Sequence, residues 1–155
     1  MLVDFDLIDD SSRIWIYGSE QKLINEQEIY ILKFISDHLK GWNSHGNHLK
    51  SAVTILKNHF IVVALDESEN RASGCSIDTL QNTIQIIEKE LSISLLNRLN
   101  IFCSINDEIK CIPSFRLNDI AKEDTLFYDL TIQRKSDLNS YLKPVNEGWC
   151  VHLIK

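Results

Sequence analysis

A chain of 155 residues, 44% hydrophobic and 25% charged, has the length and make-up of one compact domain. It is long enough to bury roughly two-thirds of its unfolded surface, and it lies outside the polar regime of disordered chains. Acidic residues outnumber basic ones 22 to 16 for a formal charge of −6, and no basic run is longer than Arg134-Lys135. Proteins that neutralise phosphates concentrate positive charge, so the composition argues against nucleic acid as a direct partner.

Apolar runs such as Phe60 to Leu65 are too short to cross a bilayer, and the first residues lack the basic flank of a secretory signal. The expectation is a cytoplasmic protein without membrane insertion. Four cysteines, at 75, 103, 111 and 150, form no C-x-x-C pair. They read as reduced thiols rather than a disulfide framework or a zinc site, and no cofactor is implied.

Along the chain, Arg13 to Tyr17 is rich in β-branched and aromatic residues and stops at Gly18, which predicts a buried strand. Asn25 with Glu28 suggests a capping box. Ile29, Leu32, Ile35 and Leu39 then recur at helical spacing up to Gly41, predicting a helix over 26–40. Ala52 to Leu56 and Phe60 to Leu65 flank Asn58-His59 as a hairpin. Asp78 with Gln81 reads as a second capping box, opening a helix over 78–90 on Leu80, Ile84, Ile87 and Leu91. Leu99 to Ile105 and Ile109 to Pro113 form a further hairpin, in which a three-residue turn over 106–108 would set Cys103 opposite Cys111. Beyond it the reading is a short helix over 117–122, an extended 125–131, a helix over 136–142 and a last strand over 149–154, with Trp15 and Trp149 in the core.

The order β-α-β-β-α-β predicts an α+β fold: a split βαβ, ferredoxin-like antiparallel sheet with both helices on one face. Residues 1–112 would form the core of a single domain 1–155, and 113–155 a C-terminal extension packed on it. In the expected strand order 4-1-3-2, the most apolar strands, Ile14 to Tyr17 and Phe60 to Leu65, are the central ones.

That topology gathers the loops 41–49 and 66–76 at one rim, together with Arg13 and the turn 106–108. Candidate binding residues there are Trp42, Gly46, Glu67, Ser73, Gly74, Ser76 and Asp78. Backbone N–H groups around Ser73 to Ser76 at a helix start suit phosphate or carboxylate. Cys75 stands where a helix N-terminus stabilises a thiolate, with His45 or His48 as a base and Asp66 or Asp78 to orient it. The plainer alternatives are a packed cysteine, a turn histidine at His45-Gly46 and a solvated loop start at Asp66-Glu67.

Residues 12–17 (Ser-Arg-Ile-Trp-Ile-Tyr), Trp42 to Gly46, Phe60 to Val62 leading into Asp66-Glu67, and Ala72 to Asp78 together resemble a small bacterial family often labelled "ABC transporter ATPase". The likeness is strong in the first half and loose in the rest, and it implies which segments matter rather than what they do. The label fails on chemistry. None of the five glycines belongs to a G-x-x-x-x-G-K-[ST] loop, whose amides and lysine would hold the phosphates.

Two readings of function follow. One is a binding or regulatory module recognising a small anionic ligand or a protein segment at the rim. The other is a small thiol-dependent enzyme with Cys75 as nucleophile, His45 as base and Asp66 in support.

Overall fold

A computed structural model describes all 155 residues and gives a mixed helix-and-sheet protein whose sheets are antiparallel. The chain divides into two compact units, Met1–Leu96 with Gln133–Ser136 and Asn97–Ile132 with Asp137–Lys155. Each has its own hydrophobic cluster. The division therefore falls before the hairpin expected to close the first sheet, not after it at residue 112.

In the first unit, strand β1 (Arg13–Gly18), helix α1 (Asn25–Lys40), the two-residue strands β2 (Asn43–Ser44) and β3 (Asn47–His48), strands β4 (Lys50–Leu56) and β5 (Phe60–Asp66), and helix α2 (Gly74–Leu91) follow in order. The main sheet runs β1-β5-β4. This is the 1-3-2 part of the expected order. The fourth strand pairs in a different sheet, so the order 4-1-3-2 is not realised.

Central β5 explains its own sequence: all six residues from Phe60 to Leu65 have 0% exposure, so both faces need apolar side chains. Register places Trp15, Val63 and Val53 in one row and Tyr17, Ile61 and Ile55 in the next. These rows share one cluster with Ile31, Ile35 and Leu39 of α1 and with Leu80, Ile84 and Ile87 of α2. Both helices thus cover the same face. Each such buried side chain contributes about 1.5–3 kcal/mol.

Two features of the helices differ from expectation. The inward stripe of α1 is Ile31, Ile35 and Leu39, and Ile29 is 59% exposed. The side chain that caps α1 is Gln27, which accepts from the Ile24 amide at 3.0 Å, while Glu28 accepts from Asn58 Nδ2 of the β4–β5 turn at 2.9 Å. Helix α2 starts before Asp78 because Ser73 and Ser76 cap each other: Ser76 N–H donates to Ser73 Oγ (3.1 Å) and Ser73 N–H to Ser76 Oγ (2.7 Å). Two serines do what the box rule assigns to Ser and Glu.

Each edge of the sheet is paired at one end. Residues 1–3 pair with Ser51 beside β4. Along β1, Ile14 N–H donates to Gln133 O at 3.0 Å and Lys135 N–H to Ser12 O at 2.9 Å.

In the second unit, strands β6 (Asn100–Ile105) and β7 (Glu108–Pro113), the single-turn helix α3 (Leu117–Ile120), and strands β8 (Leu126–Tyr128) and β9 (Leu142–Pro144) form a sheet of order β7-β6-β8-β9. Its cluster includes Ile101, Cys103, Phe127, Val145 and Cys150. The β6–β7 turn has two residues, Asn106 and Asp107, both at positive φ (54° and 62°). Cys103 accordingly pairs with Lys110 and Cys111 with Phe102, and the two cysteines do not face each other. Residues Lys135–Ser140, of which Lys135 and Ser136 belong to the first unit, and Val151–Leu153 are 3-10 turns in place of the expected helix and last strand. Successive short-range bonds such as Val151 N–H to Gly148 O (3.3 Å) and Leu153 N–H to Cys150 O (3.0 Å) satisfy that backbone locally. Trp149 is 39% exposed, not core.

Candidate functional site

A cleft of about 480 Å³ opens in the first unit between the end of α1, the β2–β3 hairpin and the first turn of α2. It is lined by Asp37, His38, Gly41, Trp42, Asn43, His45, Ser73, Cys75, Ser76 and Thr79. Of the sequence-derived candidates, Trp42, His45, Ser73, Cys75 and Ser76 meet there. Asp66, Glu67, Gly46, Gly74 and Asp78 do not line it.

Its floor is fixed by Trp42, which is 2% exposed. The indole Nε1–H donates to the Ser76 carbonyl at 2.8 Å, and the ring meets Trp15 edge-on with centroids 5.9 Å apart. Arg13 lies over Trp15, its guanidinium carbon 4.7 Å from the ring centroid, in cation–π contact. The Trp42 backbone also closes the next element, its carbonyl accepting from Leu49 N–H at 3.1 Å. Between them, Asn43 to His48 turn back on themselves through His45 (φ 52°) and Gly46 (φ 84°). Positive φ at both central residues is the geometry of a tight hairpin turn. His45 thus has a turn role and is also exposed at the mouth of the cleft.

On the opposite wall, Cys75 is the exposed cysteine; Cys111 is half-buried, and Cys103 and Cys150 are buried. It sits in the first turn of α2, inside the helix rather than ahead of it. The Ser73–Ser76 exchange occupies the Ser76 amide, while the amides of Gly74 and Cys75 fall among the helix-start donors that have no intrahelical partner. The helix macrodipole favours negative charge beside them. A Cβ built at Gly74 meets nothing within 4 Å, so the position does not depend on glycine.

His38 and Asp37, which sequence reasoning missed, complete the cleft from the last turn of α1. The imidazole of His38 lies 6.2 Å from the Trp42 ring, its Nε2 is buried with no hydrogen-bond partner, and burial pushes its pKa below the ordinary histidine value. A neutral imidazole follows, since desolvation penalises the charged form. The only sequence signal is a histidine at the end of a helix beside Leu39 and Gly41, too common a pattern to single out. Asp37 takes a hydrogen bond from Lys33 at 3.1 Å and lies 3.7 Å from Lys40, which together hold its carboxyl below the usual range.

The two expected acids are engaged in local contacts outside the cleft. Asp66 accepts from Ser68 N–H at 3.0 Å and lies 3.8 Å from Lys50; the Ser68 bonds and that charge hold its pKa down. Glu67 accepts from Ala72 N–H at 3.0 Å and lies 4.0 Å from Arg13, so it shapes the loop into α2. The turn 106–108 belongs to the second unit. No helix is long and apolar enough to cross a membrane.

Chemically the cleft brings together the thiol of Cys75 at a helix start, two imidazoles, the Asp37 carboxylate and the edge of the buried Trp42 ring. Comparison with protein-family models, with curated proteins and with solved structures found no match.

Proposed function

We propose that the chain is a binding or regulatory module that holds a small anionic ligand, or an acidic group on a protein segment, in the cleft between α1, the β2–β3 hairpin and α2. The observation that carries this reading is the placement of the first turn of α2. Cys75, whose amide has no intrahelical partner, lines the cleft together with His38, His45 and Ser73, and an amide at a helix start favours phosphate or carboxylate. Cys75 supplies the assay. As the exposed thiol, it should lose reactivity toward iodoacetamide several-fold when phosphate, sulfate or a small dicarboxylate occupies the cleft. An alkylation rate unchanged across millimolar concentrations of all of these, with Trp42 fluorescence also unchanged, rules the anion reading out.

A second reading is favoured by the cleft bringing Cys75 together with His38 and His45: a thiol-dependent enzyme in which one imidazole takes the thiol proton. His45 is the base that the sequence suggests, and His38, which lines the same cleft, is the alternative. Asp66 has no part in this version, because its contacts are with Ser68 and Lys50. Cys75→Ser separates the readings, abolishing catalysis under the second and leaving anion affinity within about threefold under the first.

Membership of the family labelled "ABC transporter ATPase" and a cytoplasmic location belong to the same proposal. The segments 12–17, 42–46, 60–67 and 72–78 that carry the resemblance supply β1, the hairpin, β5 and the start of α2. Nucleotide hydrolysis does not belong to it.

A further inference from the structure

Away from the cleft, the first unit contains an ammonium group in an unusual setting. Lys135 Nζ donates to the carbonyl oxygens of Phe5 (2.8 Å), Ile8 (2.8 Å) and Asp6 (3.4 Å). Asp10 Oδ1 lies 3.8 Å away, and the Phe5 ring centroid is 5.2 Å from the nitrogen. The Lys135 side chain is only 13% exposed. An ammonium has three N–H donors, and here three carbonyls surround it. Hydration is replaced by backbone dipoles and an aromatic face, the way carbonyl rings strip a monovalent cation.

The loop is built for a positive charge, not merely touched by one. Asp4, Asp6, Asp9 and Asp10 fall within seven positions, and carbonyls turned inward toward one point would leave uncompensated dipoles without a cation between them. Sequence reading gives no hint, because Lys135 and the loop are far apart in the chain. The lysine is delivered by its backbone: Lys135 N–H donates to Ser12 O and Ser136 N–H to Asp10 O, both at 2.9 Å. Tethering of this kind gives the ammonium a high effective concentration at the loop.

We infer that the loop 4–11 is a monovalent-cation cradle whose occupant is the tethered ammonium of Lys135, so that the segment 133–136 is seated on the first unit by an intramolecular cation-binding step. A free primary ammonium takes the vacated position when the side chain is removed.

The test is thermal unfolding of the full chain and of Lys135→Met and Lys135→Gln, each in ammonium, methylammonium or tetramethylammonium chloride at one ionic strength. Lys135→Met should lower Tm by on the order of 5 °C. Ammonium and methylammonium should restore about half of that loss, tetramethylammonium none, and the unaltered chain should respond equally to all three salts. Lys135→Gln, which keeps donors but not charge, should fall between. If Lys135→Met does not fold in tetramethylammonium chloride, the same comparison is made on the yield of folded protein, with recovery expected only in the small ammonium salts. An unchanged Tm in Lys135→Met, or equal effects of ammonium and tetramethylammonium on the variant, overturns the inference. So does an equal selective gain by the unaltered chain.

Discussion

Trp42 and Ser76 are joined across the first unit by a buried hydrogen bond of 2.8 Å, indole Nε1–H to backbone carbonyl. The bond ties the residue that ends the α1 turn to the first turn of α2, and the cleft lies over it. Ser76 O also accepts from Thr79 Oγ1 at 2.9 Å, so the carbonyl keeps one partner if the indole is lost.

Trp42→Phe should therefore cost on the order of 2–4 kcal/mol, about 1 kcal/mol of it from the hydrogen bond, whose acceptor remains partly satisfied, and the rest from the space the smaller ring leaves in the core. The urea midpoint measures it. Amide exchange should quicken selectively in the first turn of α2, and a uniform increase along the chain would show that the bond does not act locally.

The turn at His45-Gly46 separates conformation from chemistry. Gly46 has φ +84°, so Gly46→Val forces a β-branched residue into the left-handed region and should cost roughly 1–3 kcal/mol. His45→Asn keeps a residue that tolerates φ 52° and removes the imidazole. Its stability should stay within about 0.5 kcal/mol of the unaltered chain by urea titration, which makes it the clean variant for asking whether that imidazole contributes to ligand binding.

Much of this site was legible before the structure. Apolar spacing found β1, β5 and both helices, and the loop argument placed His45 and Cys75 at one site. The misses have local physical reasons. Helix α2 begins early because Ser76 substitutes for an acid in the cap, and the β6–β7 turn is tighter than expected because Asn106 and Asp107 both accept positive φ. The absent fourth strand is a failure of another kind. Alternating apolar residues at Ile101, Cys103 and Ile105 announce a strand with a face to bury, but the pattern is silent on which sheet receives it. His38 was invisible because its importance lies in what surrounds it.

His38 also sets a pH dependence. Its folded pKa is depressed, so the unfolded chain takes up a proton before the folded one does. The stability tied to the neutral ring is complete above the unfolded value and is lost as pH falls through that value toward the folded one. Between about pH 7.5 and pH 5.5 the urea midpoint of the unaltered chain should fall further than that of His38→Gln. Equal falls would mean that the ring titrates alike in both states.

Gly148 in the second unit has no room for a side chain. A Cβ there would stand 2.1 Å from the Phe127 ring, and Phe127 is fully buried. Gly148→Ala should destabilise by roughly 1–3 kcal/mol through overpacking. Phe127→Leu, by opening space, should make the double variant less destabilised than the sum of the two single changes, a coupling read by a double-mutant cycle.

The short excursion 133–136 gives the first unit a history as well as a shape. Ile14 waits for Gln133 and Ser12 for Lys135, so during synthesis the outer side of β1 stays an unpaired sheet edge while more than a hundred further residues are made. Such an edge is a template for the wrong neighbour. A nascent chain stalled before residue 133, or a fragment cut at Leu96, would carry it bare, and aggregation of those species should start along β1.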